Sequence, residues 1–342
     1  MFHRLFPALT SVCVAFICAT SLAAPLASET GATPADPVEV RAWLMRIHAA
    51  ASHHNFQGTF VVSGGGSVAS ARIAHFCEGK NQYERIESLD GQARHVFRHN
   101  DVVQTVWPGS QVARVEQREL VMSFPALLQA GGDHIVDFYD VLRLGSDRVA
   151  GHEANVLLVK PRDAFRFGYR LWADKASGLL LRADVLGEKS ELLETSAFSE
   201  VSIGVKAQPE SVLAPMKKLD GYRVLRPVLT PTRLEAEGWS MRDPAPGFLP
   251  VSCVRRTIDD ASPGRADPAS PPMLQTIYSD GLTYVSVFIE PFNAQRHTRS
   301  MIASMGATQT LMRRQGDWWV TVVGDVPSVT LRQFANGLER NK

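Results

Sequence analysis

The chain has 342 residues, 45% hydrophobic and 21% charged, with a formal net charge of +1. That length exceeds what one hydrophobic core ordinarily organises, so two domains are expected. The near-zero charge gives no support to nucleic-acid binding, and no segment past the first twenty residues is apolar for long enough to span a bilayer.

His3 and Arg4 place positive charge at the start, Leu5 to Thr20 is apolar, and Ser21-Leu22-Ala23 puts small residues at the cleavage-critical positions. This is the pattern of a secretory signal peptide over residues 1–23; cleavage one residue later would place Pro25 at the scissile bond. Bulky Ile17 ahead of Cys18 argues against a lipoprotein signal. The mature chain is expected to be exported, with residues 24–35 as a flexible arm.

Asp36-Pro37-Val38-Glu39 reads as a helix start, with a capping carboxylate, a first-turn proline and an acid three residues after the cap. Val40, Trp43, Leu44, Ile47 and Ala51 follow at helical spacing and mark a buried face. Alternating patterns then predict strands over residues 56–62, 68–77, 83–89, 94–98, 102–107 and 111–115. Short helical pieces over 123–129 and 137–142 interrupt them. Strands resume over 153–160, 167–173, 179–186 and 192–201. Asp174 to Gly178 forms the turn between the third-last and second-last of these long runs. About ten consecutive antiparallel strands with an early helix predict a strongly curved sheet, a half-barrel folded over that helix, for residues 36–205.

Periodicity fades over 206–224, read as a linker that joins the halves loosely. A smaller α+β domain is expected over 225–342. Its strands lie over 248–256, 275–279, 282–290, 308–313 and 318–323, with a mobile loop from Asp259 to Pro272. Ser328 caps a last helix whose buried side is Val329, Phe334, Ala335 and Leu338. Residues 37–205 carry a net −2 and residues 206–342 a net +4. That asymmetry suits an acidic partner or lipid phosphates on the second half, and ordinary scatter equally.

Only Cys77 and Cys253 survive removal of the signal. An exported compartment permits a disulfide between them, but they fall in different domains, so two thiols are the expected state. Asp133, His134, Asp137 and Asp140 form the densest group of acid–base side chains; a solvated helix edge explains them without chemistry. His48, His53 and His54 end a helix, where imidazoles are electrostatically favoured, and His95 and His99 are too far apart along a strand to share a metal. Ser63-Gly64-Gly65-Gly66-Ser67 joins two strands rather than a strand and a helix, so it is no phosphate cradle. Neither a metal, a cofactor nor a catalytic centre is indicated. If the sheet curves as expected, Phe60, Val62, Ile73, Phe97, Leu157, Phe167 and Leu171 lie on its concave side, where they either fill a core or line a lipid cavity; a slip of one residue in any strand exchanges its two faces. Tyr278, Asp280, Trp318 and Trp319 are candidates for contact with a protein partner, the aromatics being read as exposed, with core packing the alternative for each.

Several blocks carry a resemblance. Arg148 to Asp184, Asn55-Phe56-Gln57-Gly58-Thr59-Phe60-Val61 and Glu84 to Gly91 lie in the first half. Tyr278 to Leu282 with Val285 to Glu290, and Arg314 to Asp317 with Val320 to Pro327, lie in the second. In this order they resemble the MucB/RseB family of periplasmic regulators. The long proline-rich loop and the tandem Trp318-Trp319 depart from it. The resemblance implies a first domain related to the lipoprotein carriers LolA and LolB and a second that contacts a transmembrane anti-sigma factor. It also implies periplasmic residence, shielding of that partner from proteolysis, and relief by lipopolysaccharide or lipid acyl chains, with a homo-oligomer open. A LolA-like lipid or lipoprotein carrier is the alternative, and an exported hydrolase using Asp133, His134 or Asp137 is a further one.

Overall fold

The computed structural model describes residues 33–117, 135–256 and 272–341. The segment read as a signal peptide, most of the expected arm, the helical piece expected over 123–129, Asp133, His134 and nearly all of the 259–272 loop lie outside those residues. Asp36 Oδ1 accepts a 2.8 Å hydrogen bond from Val38 N, and Pro37 supplies the preset φ of a first helical turn. Helix α1 (Pro37–His53) follows and buries Val40, Leu44, Ile47, Ala50 and Ala51.

The larger sheet holds thirteen described strands. The first seven are β1 (Thr33–Pro34), β2 (Phe56–Gly64), β3 (Ser67–Glu78), β4 (Asn81–Ser88), β5 (His95–His99), β6 (Val102–Trp107) and β7 (Val112–Gln117). The others are β8 (Tyr139–Val149), β9 (His152–Pro161), β10 (Gly168–Asp174), β11 (Leu180–Leu186), β12 (Leu192–Ile203) and β13 (Arg223–Leu225). Their spatial order is β1-β8-β9-β10-β11-β12-β2-β3-β4-β5-β6-β7-β13. Every pairing is antiparallel except β13 with β7. The helix expected over 137–142 shrinks to one turn, α2 (Ile135–Phe138), and β8 takes over at Tyr139. Burial there alternates, Tyr139 in, Asp140 out, Val141 in, which is a strand's period and not a helix's.

Three strands separate β8 from β12, yet the two touch, so the sheet curls on itself. Helix α1 lies in the hollow against β3 and β11. Its buried face joins Phe56, Ile73, Leu157, Leu171, Ala183 and Phe198 in one core. At the β10–β11 turn, the Asp174 carboxylate accepts from Ser177 N and Oγ at 2.6 and 2.7 Å, and Gly178 takes φ +83°.

Residues 206–224 are not a bare linker. Helix α3 (Glu210–Met216) packs Val212 onto Ala74, Phe76, Tyr83 and Phe97 on the convex side of the sheet, and β13 then extends the sheet edge. The second sheet, in the order β14-β16-β17-β18-β21-β20-β19, is built from β14 (Leu229–Pro231), β16 (Leu249–Arg256), β17 (Met273–Ser279), β18 (Tyr284–Pro291), β19 (Met301–Met305), β20 (Thr308–Gln315) and β21 (Trp318–Gly324). A separate pair, β15 (Trp239–Met241) and β22 (Leu338–Arg340), flanks helix α4 (Ser328–Gly337). Leu331 and Phe334 of α4 are fully buried against Val285, Val287 and Val322, whereas Val329 stays exposed. Cys77 and Cys253 are free thiols on different sheets, β3 and β16. Each sulfur has its own local surroundings, so the permitted disulfide does not form.

Candidate functional site

Strand registers carry one row of inward side chains across the curved sheet. Leu157 faces Leu171, Leu171 faces Ala183, Ala183 faces Ser196, Ser196 faces Val62, and Val62 faces Ala69. A neighbouring row runs from Phe198 through Phe60 and Ala71 to Ser88. Along both rows large residues give way to small ones, Leu157 and Leu171 to Ala183 and Ser196, Phe198 and Phe60 to Ala71 and Ser88, so the wall is not filled at Ala69, Ala71, Ala183 and Ser196. The result is a cavity of about 390 Å³, closed on its other side by Leu282, Thr283, Tyr284 and Asp325 of the smaller domain. That volume is in the ordinary range for small-ligand sites.

Of the seven candidates for the concave side, Phe60 and Val62 line this cavity. Ile73, Leu157 and Leu171 face the same hollow but are packed solid beneath α1. Phe97 is a correction: it faces the convex side beneath α3, because it pairs with Arg85 while Val96 pairs with the inward Ile86. A shift of one residue exchanges the faces of a strand. Phe167 precedes β10, is buried, and does not reach the cavity.

The aromatics among the four partner candidates are not exposed as expected. Tyr278 is buried with its ring 5.0 Å from that of Phe334. Trp319 is buried and stacks on His297 at 4.7 Å. Trp318 is half-buried, edge-on to Trp239 at 5.6 Å. These aromatics hold the small domain together instead of standing exposed. Asp280 is buried at the contact between the sheets. Its Oδ2 accepts from Arg166 Nε at 2.9 Å and from the Tyr139 hydroxyl at 2.8 Å. Its Oδ1 accepts from Leu282 N and Thr283 N at 3.0 and 2.9 Å, fixing the turn that roofs the cavity.

Arg166 completes that node. Its side chain is wholly buried, pairs with Asp163 at 2.5 Å, donates to the Pro246 carbonyl, and lies over the rings of Phe138 and Phe248 at 4.5 and 5.2 Å. Burial, and then the Asp280 charge, pushes the Tyr139 hydroxyl far above its ordinary range, so it stays a donor. Beside the node, Thr330 Oγ1 of α4 donates to the Phe165 carbonyl at 2.7 Å. The loose joint expected between the halves is thus a packed one.

The opposite rim is acidic. Glu194 and Asp325 both line the cavity. Burial raises each carboxyl above its ordinary range, and Asp325 pushes Glu194 further the same way. Asp325 accepts from Thr308 Oγ1 at 2.6 Å, and Glu194 accepts from Ala307 N at 3.4 Å. The Gly64-Gly65-Gly66 turn has its role here: a Cβ on Gly65 would come within 2.5 Å of Gly306 N, so the turn docks backbone to backbone against β19–β20. Among the described residues no group of three His, Cys, Asp or Glu side chains is arranged to hold a metal ion. Asp140 is instead paired with Arg162 at 2.8 Å. Arg166, Tyr139, Glu194 and Asp325 were not legible as site residues, since each meets partners more than a hundred positions away.

A curved wall and a compact second sheet, sharing one apolar cavity with a polar rim, make a binding protein's architecture. Comparisons with known proteins place it further. The MucB/RseB N-terminal domain matches residues 39–216 and the MucB/RseB C-terminal domain residues 233–339. The sigma factor AlgU regulatory protein MucB of Pseudomonas aeruginosa is 31% identical over 330 residues, covering 92% of this chain and 96% of that protein. The sigma-E factor regulatory protein RseB of Escherichia coli K12 is 24% identical, over 91% and 93%. The crystal structure of MucB in complex with MucA(peri) is similar with a TM-score of 0.64 at 28% identity, covering 88% of this chain and 99% of that one. The chain belongs to the MucB/RseB family of sigma-factor regulatory proteins.

Proposed function

We propose that this protein is an exported, periplasmic negative regulator of an envelope-stress sigma factor. It binds the periplasmic part of a transmembrane anti-sigma factor, shields it from proteolysis, and releases it when lipid enters the cavity. Family membership and the solved complex of MucB with MucA(peri) support the partner. The signal-peptide pattern of residues 1–23 supports the compartment. The observation that carries the lipid half is the cavity lined by Phe60 and Val62 on one sheet and by Leu282 and Tyr284 on the other.

An acyl chain inserted there touches both sheets at once and so favours one spacing between them. A partner segment lying across the small domain and the junction favours another spacing. Two ligands that prefer different arrangements weaken each other through linkage, by equal factors in each direction. The junction also favours a switch over a simple carrier, because the cavity is incomplete without the second sheet. The test is capture of the mature chain by the immobilised periplasmic part of a single-pass anti-sigma factor, with and without lipopolysaccharide. Capture that lipopolysaccharide reverses is expected. No capture in either condition overturns the regulatory reading, and capture indifferent to lipid removes its sensing half.

A further inference from the structure

Cys77 and Cys253 sit in opposite surroundings. Burial and then Glu237 push the Cys253 thiol up to about 11, and no imidazole stands among the groups acting on it. Cys77, at the far end of β3, has its sulfur 3.4 Å from Nε2 of His75 and 3.0 Å from the Ser52 carbonyl at the end of α1. Nδ1 of the same ring lies 3.3 Å from Glu84 Oε2 on the neighbouring strand. Cys77 and His75 are two apart on one strand and share a face, and Glu84 is the direct cross-strand partner of His75. The ring cannot turn away, because its side chain is only 4% exposed and stacks on Phe56 at 5.2 Å.

The geometry points to Cys77 as a reactive thiol, with His75 held beside its sulfur and Glu84 as the residue that orients His75, open to exchange with a low-molecular-weight disulfide. Burial works against a charged His75, yet its hydrogen bonds to Cys77 and Glu84 outweigh that cost and lift it to about 9, so at neutral pH the ring is cationic. A cation held against sulfur by a half-buried carboxylate partner is the environment in which protein thiols act as nucleophiles. Cys77 is partly exposed, so a small reagent has an approach. In the exchange the Cys77 sulfur attacks one sulfur of the disulfide. A new S–S bond forms as the old one breaks, and the departing thiolate takes up the proton that Cys77 gave up. Cys77 is oxidised and half of the reagent is reduced, so no other oxidant is needed.

The modification has a structural consequence. Ser52, which receives the Cys77 thiol, also accepts from Gln82 Nε2 at 3.0 Å, and Cys77 N donates to Asn55 Oδ1 at 2.7 Å. An adduct on sulfur pushes into these contacts and against the last turn of α1, the helix that fills the hollow of the large sheet. The thiol state is thereby coupled to the seating of that helix.

The test treats the purified native protein at pH 7 with oxidised glutathione and, separately, iodoacetamide, and follows each cysteine by peptide mass mapping. Cys77 is expected to form the glutathione adduct and to alkylate at least tenfold faster than Cys253, and the adduct to lower the melting temperature. Glu84→Gln, which leaves the sheet intact, is expected to slow Cys77 severalfold while leaving Cys253 unchanged, and His75→Gln to slow it more. Because His75→Gln disturbs the packing on Phe56, the wild-type comparison and Glu84→Gln suffice by themselves. Equal rates for the two thiols, labelling of Cys77 only in denaturant, or a Cys77 rate indifferent to Glu84→Gln overturns the assignment.

Discussion

Two of the contacts between the sheets are built on opposite principles. At the Arg166 node, a buried cation faces Asp280 and Asp163 and is walled by Phe138 and Phe248, so charge is neutralised where water is excluded. At the Glu194–Asp325 rim, two carboxylates face each other across an open cavity, and no cation lies among the groups that shift them. A satisfied ion pair fixes geometry once formed, because breaking it strands a buried charge. At the rim the like charges add no attraction, and the edge is held by the Ala307 N–Glu194 hydrogen bond and the Gly65–Gly306 backbone contact, neither of them an ion pair. The node reads as the pivot and the rim as the mouth.

Substitution at the node should have the largest effect. Arg166→Ala leaves Asp280 buried and unpaired, and a loss of about 3–5 kcal/mol is expected, read by chemical denaturation. Asp280→Ala should cost a similar amount, and the double substitution far less than the sum. An additive double variant would mean that the two residues do not act as one contact. Next comes Gly65→Ala. A φ of +58° costs a non-glycine residue about 1–2 kcal/mol, and the new Cβ would meet Gly306 backbone besides. The rim should therefore open with the node intact, which faster hydrogen exchange at 303–308 and unchanged exchange at 280–283 would show.

The smallest effect is that of pH. Glu194 and Asp325 have raised values, so the docked state binds their protons more tightly than the undocked one. Their contribution is full below the ordinary carboxylate pKa of about 4 and is lost as pH rises through the elevated values. Asp90 and Glu237 are held below their ordinary range, the first by its hydrogen bonds from Ser70 and the second by Arg255, so they pull the opposite way on acidification. The informative quantity is the difference between the wild type and Glu194→Gln/Asp325→Asn. Stability of the wild type relative to this variant should rise from pH 7 to pH 4. A flat difference would mean the rim carboxylates are as free as in water.

Much of the fold was legible because its signals are local. The Asp36 cap, the alternation along β2 to β7, and the glycine turns at Gly178 and Gly281 each depend on neighbours in sequence. The helix expected over 137–142 failed because Asp137 and Asp140 are three apart, which imitates a helix face, whereas Tyr139 and Val141 were the residues that decided. Phe97 failed by one residue of register, which no isolated strand reveals. The site was scarcely legible at all. Phe60 and Val62 were found from the inward pattern, but a cavity between sheets needs both walls. Arg166 meets Asp280 114 positions away, a pairing that neither spacing nor composition encodes. Aromatic residues misled most: Trp319 and Tyr278 suit an exposed interface by type, yet the small domain spends them on its own packing.

The most direct test of the shared cavity is a calorimetric titration of the anti-sigma factor's periplasmic fragment into the protein, free and saturated with lipopolysaccharide, followed by the reverse order. If both ligands act through the junction, Kd for the fragment should weaken about 5–150-fold with lipid bound, and Kd for lipid by the same factor with the fragment bound. Unchanged values in both orders would contradict it.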